Sequence, residues 1–211
     1  KNVKKKLFEK QIKLLEDALA RLNKAESLDL SYDHESKKFL KEIGLISNKP
    51  YIIVCNVDEQ SVKNGNNFTK LLREKYSNQK FIFICADIES QMVALKPEER
   101  ENYMKDIGLE KTGLDKLITS GYDLLNLNTF FTSGPKETRA WTIKRDTEAQ
   151  KAAGVIHSDF EKNFIRAEVV SYNDFEKYGG FEKAKENGKL RVEGKNYFVK
   201  DGDVLVFRVN P

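Results

Sequence analysis

Near the start of the chain, Phe8, Ile12, Leu15, Leu19 and Leu22 follow one another at intervals of four, three, four and three. That spacing is a coiled-coil seam and predicts a helix over residues 5–25, with Glu9, Lys10, Glu16, Asp17 and Arg21 on its flanks. An amphipathic bundle helix fits the same spacing. Three heptads do not hold alone, so a pairing helix is expected, and one lying upstream would make this the returning arm of a hairpin. Residues 34–44 read as a second short helix closed by Gly44.

From Ile46 the pattern changes to strand–helix alternation. Tyr51–Cys55 and Phe81–Cys85 are continuous apolar runs, as expected of parallel strands covered on both faces. Between them residues 67–76 are helical, with Leu71 and Leu72 predicted to face inward. Pro97 opens a helix through about Asp106, stopped by Gly108, and residues 114–125 form another with Leu117, Ile118 and Tyr122 on one face. Two parallel strands do not complete a doubly wound sheet. Beyond Leu127 the texture is short strands and turns: strands over 129–132, 139–143, 165–170, 189–192, 197–199 and 204–209, and helices over 149–154, 158–163 and 174–187. Asp201-Gly202 makes a tight turn before the last strand. Several strands around one or two helices suggest a ubiquitin-like β-grasp.

Charge changes this picture little. Charged residues are 33% of the 211, but they nearly cancel to +4, and no segment has the basic excess of a dedicated nucleic-acid binder. Cys55 and Cys85 are the only two cysteines, too few for a four-ligand zinc site or a disulfide framework, and fit reduced, buried thiols of a cytoplasmic protein. No apolar run is long enough to span a membrane.

The chemistry concentrates at the end of the first apolar strand, where the chain reads Asn56-Val57-Asp58-Glu59. Nucleotidases of the GTPase type read guanine there with N-K-x-D, in which Asn fixes the loop, the Lys stem lies along the base and Asp accepts from N1 and N2. Val57 lacks that stem and Glu59 sets its carboxylate a methylene further out, so guanine selection is expected to be weak or lost. The partner pattern G-x-x-x-x-G-K-[ST], which wraps phosphates and supplies a magnesium ligand, occurs nowhere in the 211 residues. With a first residue that is Lys rather than Met, the chain is expected to be the C-terminal portion of a longer protein.

Four separated segments resemble the YchF family, the Obg-like ATPases. Asn56–Glu59 is similar to its N-x-x-E departure from N-K-x-D; residues 125–134 and 137–143 resemble the entry to its TGS domain; residues 152–167, AAGVIHSDFEKNFIRA, resemble its A-G-x-I-H-x-D-F-E-x-x-F-I-R-A run; and Val199–Asp203 resembles its closing turn. The resemblance implies an α/β architecture: a helical coiled-coil arm over 1–46, the C-terminal part of a P-loop nucleotide-binding domain over 47–127 and a β-grasp TGS domain over 128–211. It also implies slow hydrolysis of ATP, with GTP as a second substrate, association with the ribosome or its RNA, and magnesium and phosphate ligands upstream. Neither DNA nor a membrane is an expected partner. The chain alone is not expected to hydrolyse nucleotide.

On that reading Asn56, Val57 and Glu59 meet the base: Asn56 as brace and ligand, Val57 through backbone and methyls, Glu59 toward the exocyclic edge where adenine offers its N6 amino group. Cys85-Ala86-Asp87 stands where GTPases carry S-A-K, so the Ala86 backbone N–H is a base-facing donor, while Cys85 is expected to pack. His157 and Asp159 have no nucleophile nearby; Ser158 or Asp159 is expected to cap a helix through Phe160. His34 is expected to face solvent, and Trp141 and Phe164 to be core. Lys136, Arg139, Lys144 and Arg166 are candidate contacts to ribosomal RNA, diluted by Glu137, Asp146, Glu148 and Glu161, and Lys4-Lys5-Lys6 is a second candidate. The rival reading is a non-enzymatic RNA- or ribosome-binding module built on the TGS domain. A weaker one is an interaction scaffold using the coiled-coil arm.

Overall fold

A computed structural model describes residues 2–24, 26, 28 and 32–210, the side chains of residues 2–4 and Asn48 excepted. The Lys4 candidate therefore falls outside the described side chains. The chain divides into two compact units, Lys1–Tyr51 and Ile52–Pro211.

In the first unit α1 (Asn2–Asn23) and α2 (His34–Ile43) share a small core of Ala18, Leu28 and Leu40, joined by Leu14, Leu22, Tyr32 and Leu45. Asp33 caps α2 by accepting from the Ser36 N–H at 2.7 Å, and its other oxygen accepts from Lys10 Nζ of α1 at 2.9 Å. His34, the first residue of α2, is exposed as expected, and Gly44 closes the helix in the left-handed region. Of the predicted seam only Leu22 joins this core. Phe8, Ile12, Leu15 and Leu19 are exposed, because at 100° per residue Leu14 and Ala18 lie about a quarter-turn away and take the contact with α2.

The second unit holds two sheets. Strands β1 (Ile52–Asn56) and β2 (Lys80–Ile84) pair in parallel, with Cys55 opposite Phe83. Around them lie α3 (Asn67–Lys75), α4 (Ala86–Ala94), α5 (Pro97–Asp106) and α6 (Gly113–Leu125). Their core is Cys55, Val57, Val62, Phe83, Cys85, Ile88, Met92 and Leu109. The helix α4 was not evident from the pattern.

Three expectations fail here, each for a packing reason. Leu71 and Leu72 are exposed: the buried position of α3 is Thr69, locked in a capping box with Asn66, and one turn on the Arg73 guanidinium lies 4.7 Å from the Phe83 ring centre. Leu117 and Ile118 are exposed as well, because α6 is covered through Gly113 and Ser120, small residues that let a helix lie close to a sheet. Val54 is 39% exposed, so β1 is not covered on both faces.

The remaining elements are β3 (Leu127–Ser133), β4 (Thr138–Lys144), α7 (Ala149–Ile156), α8 (Ser158–Lys162), β5 (Phe164–Ser171), α9 (Tyr172–Tyr178), α10 (Phe181–Glu186), β6 (Arg191–Glu193) and β7 (Asp203–Val209). The sheet order is β4-β3-β7-β5-β6, with β3 and β7 parallel at its centre and the other pairs antiparallel. That is the β-grasp order. Phe130, Ala149, Ala152, Ala167, Val169 and Leu205 have no exposed surface and join the sheet to α7.

The helix expected over 174–187 is two, α9 and α10, because Gly179 (φ 71°) and Gly180 (φ 126°) turn the chain through backbone that L-residues avoid. Phe175 and Phe181 pack edge to face across the break. Residues 197–199 are not a strand. The Tyr197 carbonyl accepts from Ala149 N–H, Val199 N–H donates to the Thr147 carbonyl, and the Tyr197 ring turns in so that its hydroxyl donates to buried Asp203 at 2.7 Å.

Candidate functional site

The candidate site lies at the carboxyl ends of β1 and β2, where open parallel sheets bind ligands. Asn56 closes β1 and Ala86 opens α4, and Asn56 Oδ1 accepts the Ala86 backbone N–H at 3.1 Å. One step on, Val57 N–H donates to the Ile84 carbonyl at 2.9 Å. The two strand-end loops are thereby sewn together by one side-chain and one backbone bond.

This arrangement changes two of the expected roles. Val57 is buried in the core beside Cys55, Phe83 and Cys85, and its N–H is already donated to β2. An apolar side chain at that position gains more from core contact than from solvent at the strand end. The Ala86 amide is likewise already donated to Asn56 and is not a free donor. Cys85 is 2% exposed and packs, as expected.

What faces outward is acidic. Asn56, Asp58, Glu59, Ala86 and Asp87 are exposed. Asp58 Oδ1 accepts the Ser61 N–H at 2.8 Å, and its bonds from the Ser61 hydroxyl and backbone hold it below the ordinary carboxylate range. Asp58 is thus occupied in shaping the loop. Glu59, among the described residues, has no hydrogen-bond or ion-pair partner and leaves both oxygens to accept.

The start of α6 presses against the same corner. Gly113 N–H donates to Glu89 Oε1 at 2.6 Å, and a Cβ on Gly113 would lie 2.7 Å both from that oxygen and from Ile84 Cγ2. Only glycine admits such an approach of α6 to α4 and to the last residue of β2. Sequence reasoning missed Glu89 and Gly113. The one available signal was a glycine at the first turn of a helix that followed a good cap, Thr112.

The four candidate RNA contacts do not converge. Lys136 is exposed in the β3–β4 turn. Arg139 stacks 4.2 Å from the Trp141 ring centre, on the face of β4 that carries Ile143 toward the core. Lys144 alternates to the other face and donates to the Leu125 carbonyl at 2.8 Å. Arg166 shares that other face, beside Glu168 and Arg208. Lys144 stands opposite Leu127 and Arg166 opposite Arg208, and the β3–β7 register (Phe131 opposite Val204) puts them at opposite ends of the sheet, about 25 Å apart along the strands.

His157 itself caps α8, which corrects the expectation of Ser158 or Asp159. Its Nδ1 accepts the Asp159 N–H at 3.2 Å, and the Asp159 carboxylate lies 3.4 Å from the same nitrogen. Trp141 and Phe164 flank the β-grasp core as expected, with Trp141 Nε1 donating to Thr132 Oγ1 at 2.9 Å. Among the described residues no cluster of His, Cys, Asp and Glu is arranged to hold a metal, and no helix is long and apolar enough to cross a membrane.

Residues 127–210 match the family described as YchF-GTPase_C, protein of unknown function (DUF933). The chain is 44% identical over 185 residues to the ribosome-binding ATPase YchF of Bacillus subtilis, covering 86% of this chain and 50% of that protein. It is 43% identical over 205 residues to the protein of the same name in Escherichia coli O157:H7, covering 95% of this chain and 56% of that one. Among solved structures, the Schizosaccharomyces pombe YchF GTPase superposes with a TM-score of 0.77 at 27% identity, over 96% of this chain and 55% of that one. A GTP-binding protein from Pyrococcus horikoshii OT3 superposes at 0.53 with 18% identity, over 78% and 47% respectively, a likeness of fold alone. The chain spans about half the length of the curated relatives it matches.

Proposed function

The chain belongs to the YchF family, and from that premise we propose that it carries the base-reading corner of a purine-nucleotide site in a ribosome-associated ATPase. The observation that carries this reading is the Asn56 Oδ1 to Ala86 N–H bond, which fixes two strand-end loops while Glu59, three residues on, is exposed and without a partner among the described residues.

In this reading Asn56 is the brace, and its amide NH2 is left to donate to the base. Glu59 accepts from the N6 amino group of adenine; guanine presents O6 in that place, an acceptor against a carboxylate. A mismatch of that kind, an acceptor facing a charged acceptor in a partly desolvated site, costs about 1–3 kcal/mol, enough to favour ATP over GTP. Val57 and Cys85 act from the core by fixing the strand ends. GTP is the weaker alternative ligand.

Phosphate and magnesium contacts are not assigned to these residues, since the 211 residues contain no G-x-x-x-x-G-K-[ST] and no metal-holding cluster stands among the described ones. Magnesium supplies charge neutralisation to phosphoryl transfer when bound. The β-grasp module takes the role of TGS domain on the resemblance of residues 125–143, 152–167 and 199–203; the ribosome as partner follows the names of the relatives, and a cytoplasmic location follows from that partner.

The test is nucleotide affinity in the full-length protein. Asn56→Ala frees the Ala86 amide and loosens both loops; ATP affinity is expected to fall about tenfold or more, the range for losing a hydrogen bond that braces a site. Unchanged affinity would refute the base-reading role.

A further inference from the structure

We propose, resting on the base-reading function above, that Glu89 and Asp123 are positioning residues of that corner. They clamp the two ends of α6, so that the β-grasp sheet sets where α4 begins and hence where the Ala86 amide meets Asn56.

The N-terminal clamp is the Gly113 N–H donated to Glu89 Oε1, with Gly113 too close to Ile84 to bear a side chain. Both contacts are one bond from the candidate site. Ile84 gives its carbonyl to Val57, and Glu89 lies in the first turn of α4, whose opening amide goes to Asn56.

Toward the other end of α6, about 15 Å from Gly113 at 1.5 Å per residue, Asp123 accepts twice. Arg145 NH2 reaches Oδ1 at 2.5 Å and Lys80 Nζ reaches Oδ2 at 3.1 Å. Lys80 is the first residue of β2, and Arg145 follows the last residue of β4. Lys144 and the Arg145 amide add bonds of 2.8 Å each to the carbonyls of Leu125 and Asn126. So α6 runs beside β2 with its end pinned at Lys80 and its start at Ile84, and the pin at Lys80 is shared with the β-grasp sheet.

Ion pairs as exposed as these contribute little to global stability. Their effect is directional: a helix pinned at one end pivots, and one pinned at both ends transmits displacement as a single body. A bond lost at one end is then felt at the other, and the coupling is reciprocal.

Amide hydrogen exchange on the full-length protein tests this with and without ATP. Asp123→Asn is expected to speed exchange at Ala86 and Gly113, and Glu89→Ala to speed it at Arg145, by about three- to tenfold, the range of coupling along such networks. Exchange that changes only beside each substitution, or by the same factor throughout, would overturn the proposal. Affinity separates it from the reading beneath it. If Asn56→Ala weakens ATP binding and Asp123→Asn leaves it unchanged, the clamp does not position the corner and the base-reading function stands. If the distal exchange changes occur and neither substitution alters ATP binding, the clamp is real, but its role at a base-reading corner is lost together with that function.

Discussion

The two sheets of the second unit are built from similar apolar runs, and they finish in different states. The five-stranded sheet is sealed by its own helix α7: Phe130, Ala149, Ala152, Ala167, Val169 and Leu205 have no exposed surface. The two-stranded sheet buries Cys55 and Phe83 on one face and Ile82 on the other but leaves Val54 39% exposed, and Phe68 is 77% and Val93 80% exposed on the helices around it. One region uses its apolar residues for its own core. In the other they stand at a surface, and the polar groups that matter gather where its two strands end.

The sharpest way to break that contrast is matched truncation. Phe130→Ala is expected to cost about 3–5 kcal/mol of unfolding free energy, as for other fully buried aromatics, while Phe68→Ala falls within about 0.5 kcal/mol, as for exposed positions. Chemical denaturation of the two variants measures both. Equal losses would mean that Phe68 is covered in solution.

A smaller effect is expected at Asp203, which is buried in the β-grasp turn. It accepts from the Tyr197 hydroxyl at 2.7 Å, from the Lys200 N–H at 2.9 Å and from Arg191 at 3.4 Å. Asp203→Ala strands these donors and is expected to cost about 1–3 kcal/mol. Tyr197→Phe removes one donor and costs less, and the difference between the two variants sharpens how far this turn locks the closed sheet.

The smallest effects are those of pH, and they differ in sign between the regions. Burial, with the bond to Asp203, pushes the Tyr197 hydroxyl up to about 12. A raised folded value favours the protonated form, so its contribution is complete below pH 10 and is lost as pH rises toward 12. Arg145 first and Lys80 second hold Asp123 below its ordinary 3.8. A lowered folded value contributes above 3.8 and is lost as pH falls through the folded value. Alkaline titration followed by tyrosine absorbance, and acid titration followed by exchange at Arg145, should therefore loosen different ends of the same unit.

How much of this was legible in sequence follows the same division. The strands Tyr51–Cys55 and Phe81–Cys85, the β-grasp elements and the position of Asn56 were readable because apolar runs, turn residues and motif spacing are local signals. The direction of Val57 was not. A residue at a strand end points either to a ligand or to the core according to which neighbour strand receives its amide, and here that is Ile84. Leu71 and Leu72 misled because a capping box at Asn66–Thr69 and the Arg73 stem took the inward face. Glu89, Gly113 and Asp123 were invisible for the same reason: each matters through a partner 20 or more residues away in sequence.

The most direct test of the central claim is the ratio of ATP to GTP affinity in Glu59→Gln, measured by titration calorimetry on the full-length protein. Gln keeps the length, removes the charge and adds a donor suited to guanine O6. The account predicts that ATP binding weakens, GTP binding strengthens and the ratio falls about tenfold. A ratio unchanged from the parent would show that Glu59 does not read the base.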